Sequence, residues 1–482
     1  MQLLTRCMSV LTDDEMAQIW RAAVRVWAEV PLRAQGTEEF MQALRDFGCD
    51  IDGELVRFPS AVRDAVLARV EQSRSSRGPA RPAEVQDATL DYSVSGQAFY
   101  CHDLSTETLR LATTADQVQW SWICDMFPRL GRAHPTFIPQ DVSQKYCDLH
   151  TFATIILNSR RPHRVSVYNA DLLPYFIELQ AVCDGSVEAV KQNTVFAAKC
   201  WVNTPYMITR ENIEIGMKAR ELLGQPLQMS TMPVAGVATP VTLAGCMVQS
   251  TAEVLALNVV SLALDDRLAG WTAGPLTFDM RTGIHTQVGP DVELVGLAAR
   301  QMGAYVFGGE YTGIGGPTTT AQTPGAQSMM EKALATMFGI CSGIRSFGSL
   351  GILSTADIGG VLQLMLDLEL MKHFERLLQG VRVDEETLAE DVIKEIAPRG
   401  AYYLNHDHTA KFFRSELYLP ELVDRRVPMA WMTDPVTMLD NARRKARKVA
   451  AEAENQCPLS DEQRRQVAAI VAEGKAIAEQ RK

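Results

Sequence analysis

A repeating alternation of short apolar runs and helical periods constrains the fold of this chain more than any other feature. From about Pro135 onward, the runs and the helical stretches follow one another as in repeated βα units on a parallel sheet. The predicted strands cover residues 134–138, 164–168, 195–202, 228–233, 269–271, 304–308 and 345–348, with an eighth at 402–404. The predicted helices between them cover residues 145–158, 212–223, 243–264, 291–301, 326–341 and 360–379.

Eight such units predict an α/β fold, a (β/α)₈ TIM barrel. A doubly wound open sheet is the alternative, and we favour it less because no GxGxxG fingerprint follows the first strand. Residues 1–130 are predicted to form an N-terminal extension of helices with a small β element at 89–101. The barrel covers residues 131–436, and residues 437–482 form a C-terminal helical tail whose interleaved charges are typical of a solvated or partner-packing helix pair.

Composition and charge exclude several classes of function. The chain of 482 residues carries a formal net charge of −11, which argues against a nucleic-acid-binding surface. No stretch is apolar enough to predict a transmembrane helix, and the N-terminus lacks the pattern of a secretory signal. We therefore expect a cytoplasmic protein with neither nucleic acid nor membrane as a partner. The ten cysteines include no CxxC pair, which favours buried reduced thiols over a zinc site or a disulfide framework.

The residues just after each predicted strand are the first candidates for a site, because active sites of barrels lie at the carboxyl ends of the strands. These positions are small, polar or aromatic, and Glu310 is the main carboxylate, joined by Asp279 and Asp407. The aromatic candidates are Tyr168, Trp201, Tyr206, Trp271, Phe307 and Tyr311. Such rings either pack in a core or form a cage that attracts a quaternary ammonium by roughly 0.5–2 kcal/mol per contact.

Two other motifs are ambiguous. The loop with Gly313, Gly315 and Gly316 contains no lysine, which argues against a phosphate cradle. The two histidines of His406-Asp407-His408 suggest a metal ligand pair. Local hydrogen bonding, or capping of a helix at Thr409, explains them at least as well. We predict no metal site, and the sequence contains no nucleophile elbow, P-loop or HExxH motif.

Three blocks of sequence carry a family resemblance. The first is PVAGVATPVTLAG at 233–245, followed by Gln249 and Glu253. The second is FGGEYTGIGGPTTTAQTPGAQSMMEKA at 307–333. The third is EIAPRGAYYLNHDHTAKFFRSELYLPELVDRR at 395–426, with matching spacing at Gly400, His408-Thr409, Phe413-Arg414, Glu416, Pro420 and Asp424-Arg425. In this order, over residues 90–445, the blocks resemble the trimethylamine methyltransferase family.

The resemblance implies a barrel that passes a methyl group from a methylated amine to the cobalt of a separate corrinoid protein, so cobalamin on that partner is the expected cofactor. The founding members carry pyrrolysine, whereas this chain has glycine, proline and threonine at 315–319. Thr319-Thr320-Ala321-Gln322 stands where Thr-Asp-Ala-Lys is usual, and Gly325 stands where Asp is usual. The nitrogen of a tertiary amine must become cationic before it can act as a leaving group, whereas the nitrogen of a quaternary amine already carries a positive charge. The expected substrate is therefore a glycine betaine-like quaternary amine, which the barrel holds in line while excluding water.

The resemblance also suggests roles for individual residues. The predicted catalytic residues are Glu310, Tyr311 and His408. The predicted substrate-binding residues are Tyr206, Trp271, Phe307, Arg345 and His406, with Arg281 as an alternative partner for a substrate carboxylate. Gly313, Gly315 and Gly316 are predicted to shape the barrel mouth that the corrinoid approaches. We expect a homo-oligomer. The alternatives are methyl transfer from another methylated amine or a sulfonium, transfer to tetrahydrofolate, and a non-catalytic betaine-binding protein.

Overall fold

The computed structural model describes residues 8–82, 89–130, 135–160, 165–311 and 313–480, which adopt a mixed α/β fold. Its α-helices are Asp13–Glu29, Glu38–Asp46, Ser60–Arg77, Thr114–Asp125, Cys147–Asn158, Leu173–Asp184, Val187–Gln192, Arg210–Leu223, Leu243–Asp265, Pro290–Phe307, Ala326–Cys341, Val361–Gln379, Glu385–Leu388, Glu390–Ile396, Asp407–Glu416, Pro428–Thr433, Met438–Glu452 and Asp461–Gln480. Its 3₁₀ helices are Pro128–Leu130, Ala170–Leu172, Ala397–Arg399 and Tyr403–Asn405.

The strands are short. They are Leu32–Ala34, Asp50–Asp52, Leu55–Arg57, Arg81–Pro82, Asp91–Tyr92, Tyr100–His102, Leu109–Leu111, Cys200–Val202, Met207–Ile208, Met229–Thr231, Thr277–Asp279, Ile284–Thr286, Glu310–Tyr311, Ile314–Gly315, Ser346–Phe347, Ile352–Leu353 and Ile358–Gly359. Isolated bridges, such as Ser166 with Ala197 and Ala98 with Phe137, add pairings at residues outside these strands.

Parallel pairing joins several of the short segments into two groups. In the first group, Ser166 pairs with Ala197, Cys200–Val202 pairs with Met229–Thr231, and Thr231 pairs with Ala273. In the second group, Ile314–Gly315 pairs with Ser346–Phe347, which pairs in turn with Asp91–Tyr92, and Ala98 pairs with Phe137. Within the described ranges, no strand pairing joins the two groups, so the pairings as observed do not form a closed ring.

Three of the predicted strands are wrong. Residues 304–308 fall at the end of helix Pro290–Phe307, and the strand of that unit is Ile314–Gly315. Residues 402–404 lie in and beside the 3₁₀ helix Tyr403–Asn405. Tyr402 is 90% exposed, whereas the strands of a parallel sheet are buried on both faces. Residues 269–271 are irregular, and the pairing lies at Ala273. Short apolar runs do not by themselves distinguish a strand from a helix end, which explains the first error.

The segment beside Ser346–Phe347 comes instead from the predicted N-terminal extension. Asp91 pairs with Ser346 and Tyr92 pairs with Phe347, both in parallel. The first residues of two other predicted strands, His134 and Arg164, lie outside the described residues. The division into three domains stays a prediction.

The N-terminal helix shows how local sequence positions an element on the core. The Thr12 hydroxyl accepts a hydrogen bond from Glu15 N, and the Glu15 carboxylate accepts one from Thr12 N, which is a capping box. Apolar residues at helical spacing then bury one face of Asp13–Glu29, ending at Trp27. This face packs on helix Leu243–Asp265, so the N-terminal region shares a core with the central helix.

Helix Leu243–Asp265 is apolar on nearly every face. The Thr242 hydroxyl caps it by accepting a hydrogen bond from Gly245 N. Its length and composition would allow it to cross a membrane, although 83% of its most apolar 18-residue stretch is buried inside the protein. A helix that is hydrophobic all round and buried in this way is typical of the centre of a large core.

Candidate active site

A cavity of about 980 Å³ lies among the carboxyl ends of the parallel segments of both groups. In residues 197–202 alternate residues face it, as expected for a strand. In residues 197–202, Ala197, Lys199 and Trp201 line the cavity, while Cys200 and Val202 are buried on the opposite face. The other strand-borne lining residues include Ser93, Ser95, Gln97, Phe137, Ser166, Tyr168, Ser346 and Gly348.

The strand register places three of these side chains next to one another. Ser166 pairs in parallel with Ala197, so Tyr168 and Lys199, each two residues further along, lie side by side on the same face. On the other side of Lys199, Cys200 N donates to the carbonyl of Gln228, and Trp201 pairs with Ser230. Lys199 therefore lies between Tyr168 and Gln228, with Trp201 further toward the carboxyl end.

Several aromatic rings of the cavity are open to solvent. Tyr168 is 52% exposed, Trp201 42% and Phe99 40%. Gln97 Nε2 donates to the Tyr168 hydroxyl at 2.5 Å, which fixes the orientation of that ring. Rings that are accessible within a concave site can contact a ligand, and the face of a tyrosine or tryptophan attracts a quaternary ammonium.

Asp148 is the one carboxylate among the described residues that line this cavity. Its Oδ2 accepts a hydrogen bond from Tyr168 N and its Oδ1 accepts one from Leu149 N, both at 2.8 Å. Burial raises the pKa of Asp148 to about 6, although the backbone donors favour the charged form. This carboxylate therefore holds the backbone of Tyr168 in place.

A second cavity, of about 680 Å³, shares Lys199 and Trp201 with the first. Trp271, one of the predicted substrate-binding residues, lines this second cavity, and its Nε1 donates to the carbonyl of Ala273 at 2.8 Å. The two cavities thus meet at the segment that carries Lys199 and Trp201. Trp271 is near that segment but does not line the larger cavity.

Two other predicted substrate-binding rings lie in the apolar core. Tyr206 is 6% exposed, and its backbone N donates to Glu253 Oε1 at 3.3 Å. Phe307 is 4% exposed at the end of helix Pro290–Phe307. Neither ring lines either of these cavities, because both pack among core residues around helix Leu243–Asp265.

Glu310 and Tyr311 lie ahead of the strand Ile314–Gly315, at its amino end. They pair in parallel with Arg81–Pro82, and Arg81 Nη2 donates to Glu310 Oε1 at 3.2 Å. Tyr311 is 8% exposed. Neither residue lines the larger cavity, which the carboxyl ends of the strands surround. Their predicted catalytic role stays a prediction.

The structure places His406 and His408 at the start of the surface helix Asp407–Glu416. His406 Nδ1 accepts a hydrogen bond from His408 N at 3.1 Å and so caps the helix. The ring of His408 packs against Phe412, with centroids 4.6 Å apart. Capping was one of the two interpretations of this motif. Among the described residues, no group of three or more His, Cys, Asp or Glu side chains could hold a metal ion.

The predicted arginines and glycines have local partners. Arg345 Nη1 donates to the carbonyls of Ile340 and Ile344, and Arg281 pairs with the neighbouring Asp279. A Cβ atom at position 315 would come within 2.7 Å of the Phe347 ring, so Gly315 allows its strand to pack closely. Gly315 and Gly316 line a small cavity of about 120 Å³ beside Glu293 and Arg300, whereas Gly313 is exposed and lines none of the three cavities.

The motif that departs from the family pattern is anchored by one carboxylate. Glu331 Oε2 accepts from Thr319 Oγ1 at 2.5 Å and from Thr320 N at 2.8 Å, and its Oε1 accepts from Thr320 Oγ1 at 2.9 Å. These bonds tie the loop after Ile314–Gly315 to helix Ala326–Cys341. Thr319 and Thr320 therefore anchor this loop through their hydroxyl groups and the backbone N of Thr320. This anchoring does not require an acidic or basic side chain at either position.

A buried ion pair supports the wall of the larger cavity. Lys332 Nζ lies 2.6 Å from Asp367 Oδ2, and neither side chain is exposed. The same Oδ2 accepts a hydrogen bond from Gly351 N at 2.7 Å, and Oδ1 accepts one from Gln363 Nε2 at 2.7 Å. Gly351 follows Gly348 and Ser349, which line the cavity. The network therefore fixes the turn that forms this side of the wall.

Sequence reasoning missed Lys199 and Asp148 and gave Tyr168 and Trp201 no assigned role. For Lys199 a usable signal was present, because Lys199 and Trp201 are two residues apart in one strand and so share a face. For Asp148 there was none, because only the fold brings its helix against the end of the segment that carries Tyr168.

A concave site lined by aromatic and polar side chains at strand ends is typical of an enzyme that binds a small molecule. Comparison with known proteins shows which family of enzymes this chain belongs to. The family model described as trimethylamine methyltransferase (MTTB) matches residues 2–478. The chain therefore belongs to the trimethylamine methyltransferase family, which confirms the resemblance found in the sequence.

Individual relatives are distant but match over most of their length. Trimethylamine methyltransferase MttB of Desulfitobacterium hafniense is 21% identical over 427 residues, covering 87% of this chain and 85% of that protein. The protein of the same name from Methanosarcina thermophila is 22% identical over 438 residues, covering 88% and 89%. Glycine betaine methyltransferase of Desulfitobacterium hafniense is 22% identical over 450 residues, covering 92% of each chain.

Proposed function

We propose that this protein transfers a methyl group from a quaternary amine such as glycine betaine to the cob(I)alamin of a separate corrinoid protein. The observation that carries the proposal is the larger cavity, where the rings of Tyr168 and Trp201 are exposed at neighbouring strand ends. One similar protein is named as a glycine betaine methyltransferase and others as trimethylamine methyltransferases. A cytoplasmic location and a homo-oligomeric state belong to the same proposal.

The proposed fold is a (β/α)₈ barrel made of the two parallel groups. Their eight paired segments are 91–98, 137, 166, 197–202, 229–231, 273, 314–315 and 346–347. In chain order, each segment is followed by one of the helices Thr114–Asp125, Cys147–Asn158, Leu173–Asp184, Arg210–Leu223, Leu243–Asp265, Pro290–Phe307, Ala326–Cys341 and Val361–Gln379. The pairing of the last segment with the first supports closure.

In this methyl transfer, the role of the protein is mainly to bind and orient the substrate. A corrinoid held by the partner protein would supply the nucleophile that accepts the methyl group, and the exposed ring of Phe99 is among the side chains of the cavity that it would face. In the transfer, a carbon–nitrogen bond breaks, its electron pair stays on nitrogen, and a neutral tertiary amine leaves. Tyr168 and Trp201 hold the ammonium by their ring faces, and the surrounding wall excludes water from the reacting methyl group.

The test is a methyl-transfer assay with the full chain, free cob(I)alamin and a panel that contains glycine betaine, other betaines, sulfonium compounds and tertiary amines. We expect the methylcobalamin spectrum and release of dimethylglycine with glycine betaine. No spectral change with any quaternary amine would contradict the proposal. Binding of betaine without transfer, even with a cognate corrinoid protein, would favour the non-catalytic alternative, and transfer to tetrahydrofolate alone would favour the other acceptor.

A matched pair of tyrosine variants tests the position of the site. Tyr168→Ala removes a ring that lines the cavity, whereas Tyr402→Ala removes a ring that is 90% exposed elsewhere. We expect Tyr168→Ala to weaken binding of glycine betaine by about 3- to 30-fold, from the loss of one cation–π contact. Tyr402→Ala should leave it unchanged in a calorimetric titration. Equal effects of the two variants would place the amine elsewhere.

A further inference from the structure

We infer that Lys199 selects quaternary amines that carry a carboxylate, by binding that carboxylate beside the ammonium site. The inference rests on the proposed function and names the group that decides which amines enter. It assigns a specificity role to a residue that belongs to none of the three sequence blocks of the family resemblance.

The position of Lys199 carries the argument. It lines both large cavities, and the strand register places it between Tyr168 and Gln228. Trp201 lies on the same face of the same segment, two residues further along. Within the described part of the chain, Lys199 is the one lysine or arginine that lines the 980 Å³ cavity.

The charges around the cavity set the selectivity. Asp148, the carboxylate of this lining, accepts hydrogen bonds from the backbone of Tyr168 and Leu149, so its charge is already engaged by two donors. A ligand with a positive charge alone would meet an ammonium group at Lys199 and be repelled, most strongly where water is excluded. A betaine places its own carboxylate one methylene from its ammonium, so a charge-assisted bond to Lys199 replaces the repulsion.

The other cations that were expected to bind a carboxylate lie outside the two cavities that contain Lys199. Arg345 donates to two backbone carbonyls and Arg281 pairs with Asp279. His406 caps a surface helix. None of the three lines either cavity that contains Lys199.

The test compares ligands as well as variants. Glycine betaine, choline and tetramethylammonium are titrated by calorimetry into the wild type, Lys199→Met and Lys199→Arg, with Lys191→Met on an exposed helix as the matched control. We expect the wild type to prefer glycine betaine. Lys199→Met should lose about 10- to 100-fold in betaine affinity and bind choline as well as or better than before. Lys199→Arg should keep the preference, and Lys191→Met should match the wild type.

Two results would overturn the inference while the proposed function stands. One is equal binding of choline and glycine betaine by a wild type that transfers methyl groups. The other is a folded Lys199→Met variant, with an unchanged melting temperature, that keeps the betaine preference. If the wild type neither binds nor demethylates any quaternary amine, the proposed function and the inference fail together. A change in the ratio of betaine to choline affinity is a readout that a purely structural role of Lys199 would not produce.

Discussion

The cavity wall and the C-terminal segment 380–436 use the same kinds of side chain in opposite environments. In the wall, the ion pair of Lys332 and Asp367 is completely buried, whereas in the segment the pair of Lys394 and Glu390 is 68% and 70% exposed. Tyr168 opens into a concave site, whereas Tyr402 is 90% exposed on an outer surface. The residue types alone would not distinguish the two regions.

This difference shows that sequence resemblance and structural position carry different information about the protein. The C-terminal segment contains the third block of the family resemblance, yet its histidines cap and pack against their own helix. The cavity wall is made of serines, one lysine and aromatic residues in short segments with no distinctive motif. Sequence resemblance therefore identified the family, while burial and strand register located the candidate site.

The largest expected difference between the two regions concerns their ion pairs. Lys332→Met leaves Asp367 buried without its cation, so we expect the free energy of unfolding to fall by about 3–5 kcal/mol. Lys394→Met removes an exposed pair and should cost about 0.5 kcal/mol or less. Urea denaturation of the two variants measures both values. Similar small losses would mean that the wall does not depend on its buried charge.

A carboxylate from each region gives the second comparison, through its response to pH. The pKa of Asp148 is about 6 in the folded protein, above the unfolded value, so the folded state binds the extra proton. The contribution of this protonation to the free energy of unfolding is fully present below about pH 4 and is lost as pH rises through 6. Between pH 4 and pH 8 the wild type should therefore lose about 2–3 kcal/mol of stability relative to Asp148→Asn, measured by urea denaturation at both pH values.

Asp424 in the C-terminal segment provides the control of opposite sign. Its hydrogen bonds with the Arg426 side chain and backbone hold the pKa of that carboxyl below its usual range. The stability it contributes is present above the unfolded pKa and is lost as pH falls through the folded pKa. The difference in the free energy of unfolding between the wild type and Asp424→Asn should therefore become smaller as pH falls. The same pH trend for both variants would contradict the assigned environments.

The smallest expected effect concerns His406. Because its ring caps helix Asp407–Glu416, His406→Ala should lower the free energy of unfolding by about 1 kcal/mol, as the loss of an N-cap does. Betaine affinity, measured by calorimetry on the same preparation, should stay at the wild-type value. Loss of binding without loss of stability would instead favour the substrate-binding role that the resemblance suggested for this residue.

The sequence predicted the α/β class and several helices closely. Residues 326–341 match Ala326–Cys341, and residues 243–264 match Leu243–Asp265 to within one residue. The strands were harder, because segments as short as Ile314–Gly315 carry too few residues for a period to show. The pairing of Asp91–Tyr92 with Ser346–Phe347 joins distant parts of the chain, which no local pattern reveals.

The site was predicted less well for a physical reason. An aromatic residue near a strand end packs in the core or opens into a cavity according to its face, and a shift of one residue reverses that face. Tyr206 and Phe307 were assigned to the site and are buried, whereas Tyr168 and Trp201 received no role and line the cavity. Only the register with the neighbouring segments distinguishes these outcomes.

The pairing of Asp91–Tyr92 with Ser346–Phe347 has a consequence for how the protein is made. A ribosome that adds about 5–20 residues per second needs on the order of ten seconds or more to travel from the first of these strands to the second. During that interval the early strand has no partner, and neighbouring apolar residues such as Leu90 lack the core that finally buries them. Nascent chains should therefore engage chaperones until most of the polypeptide has emerged.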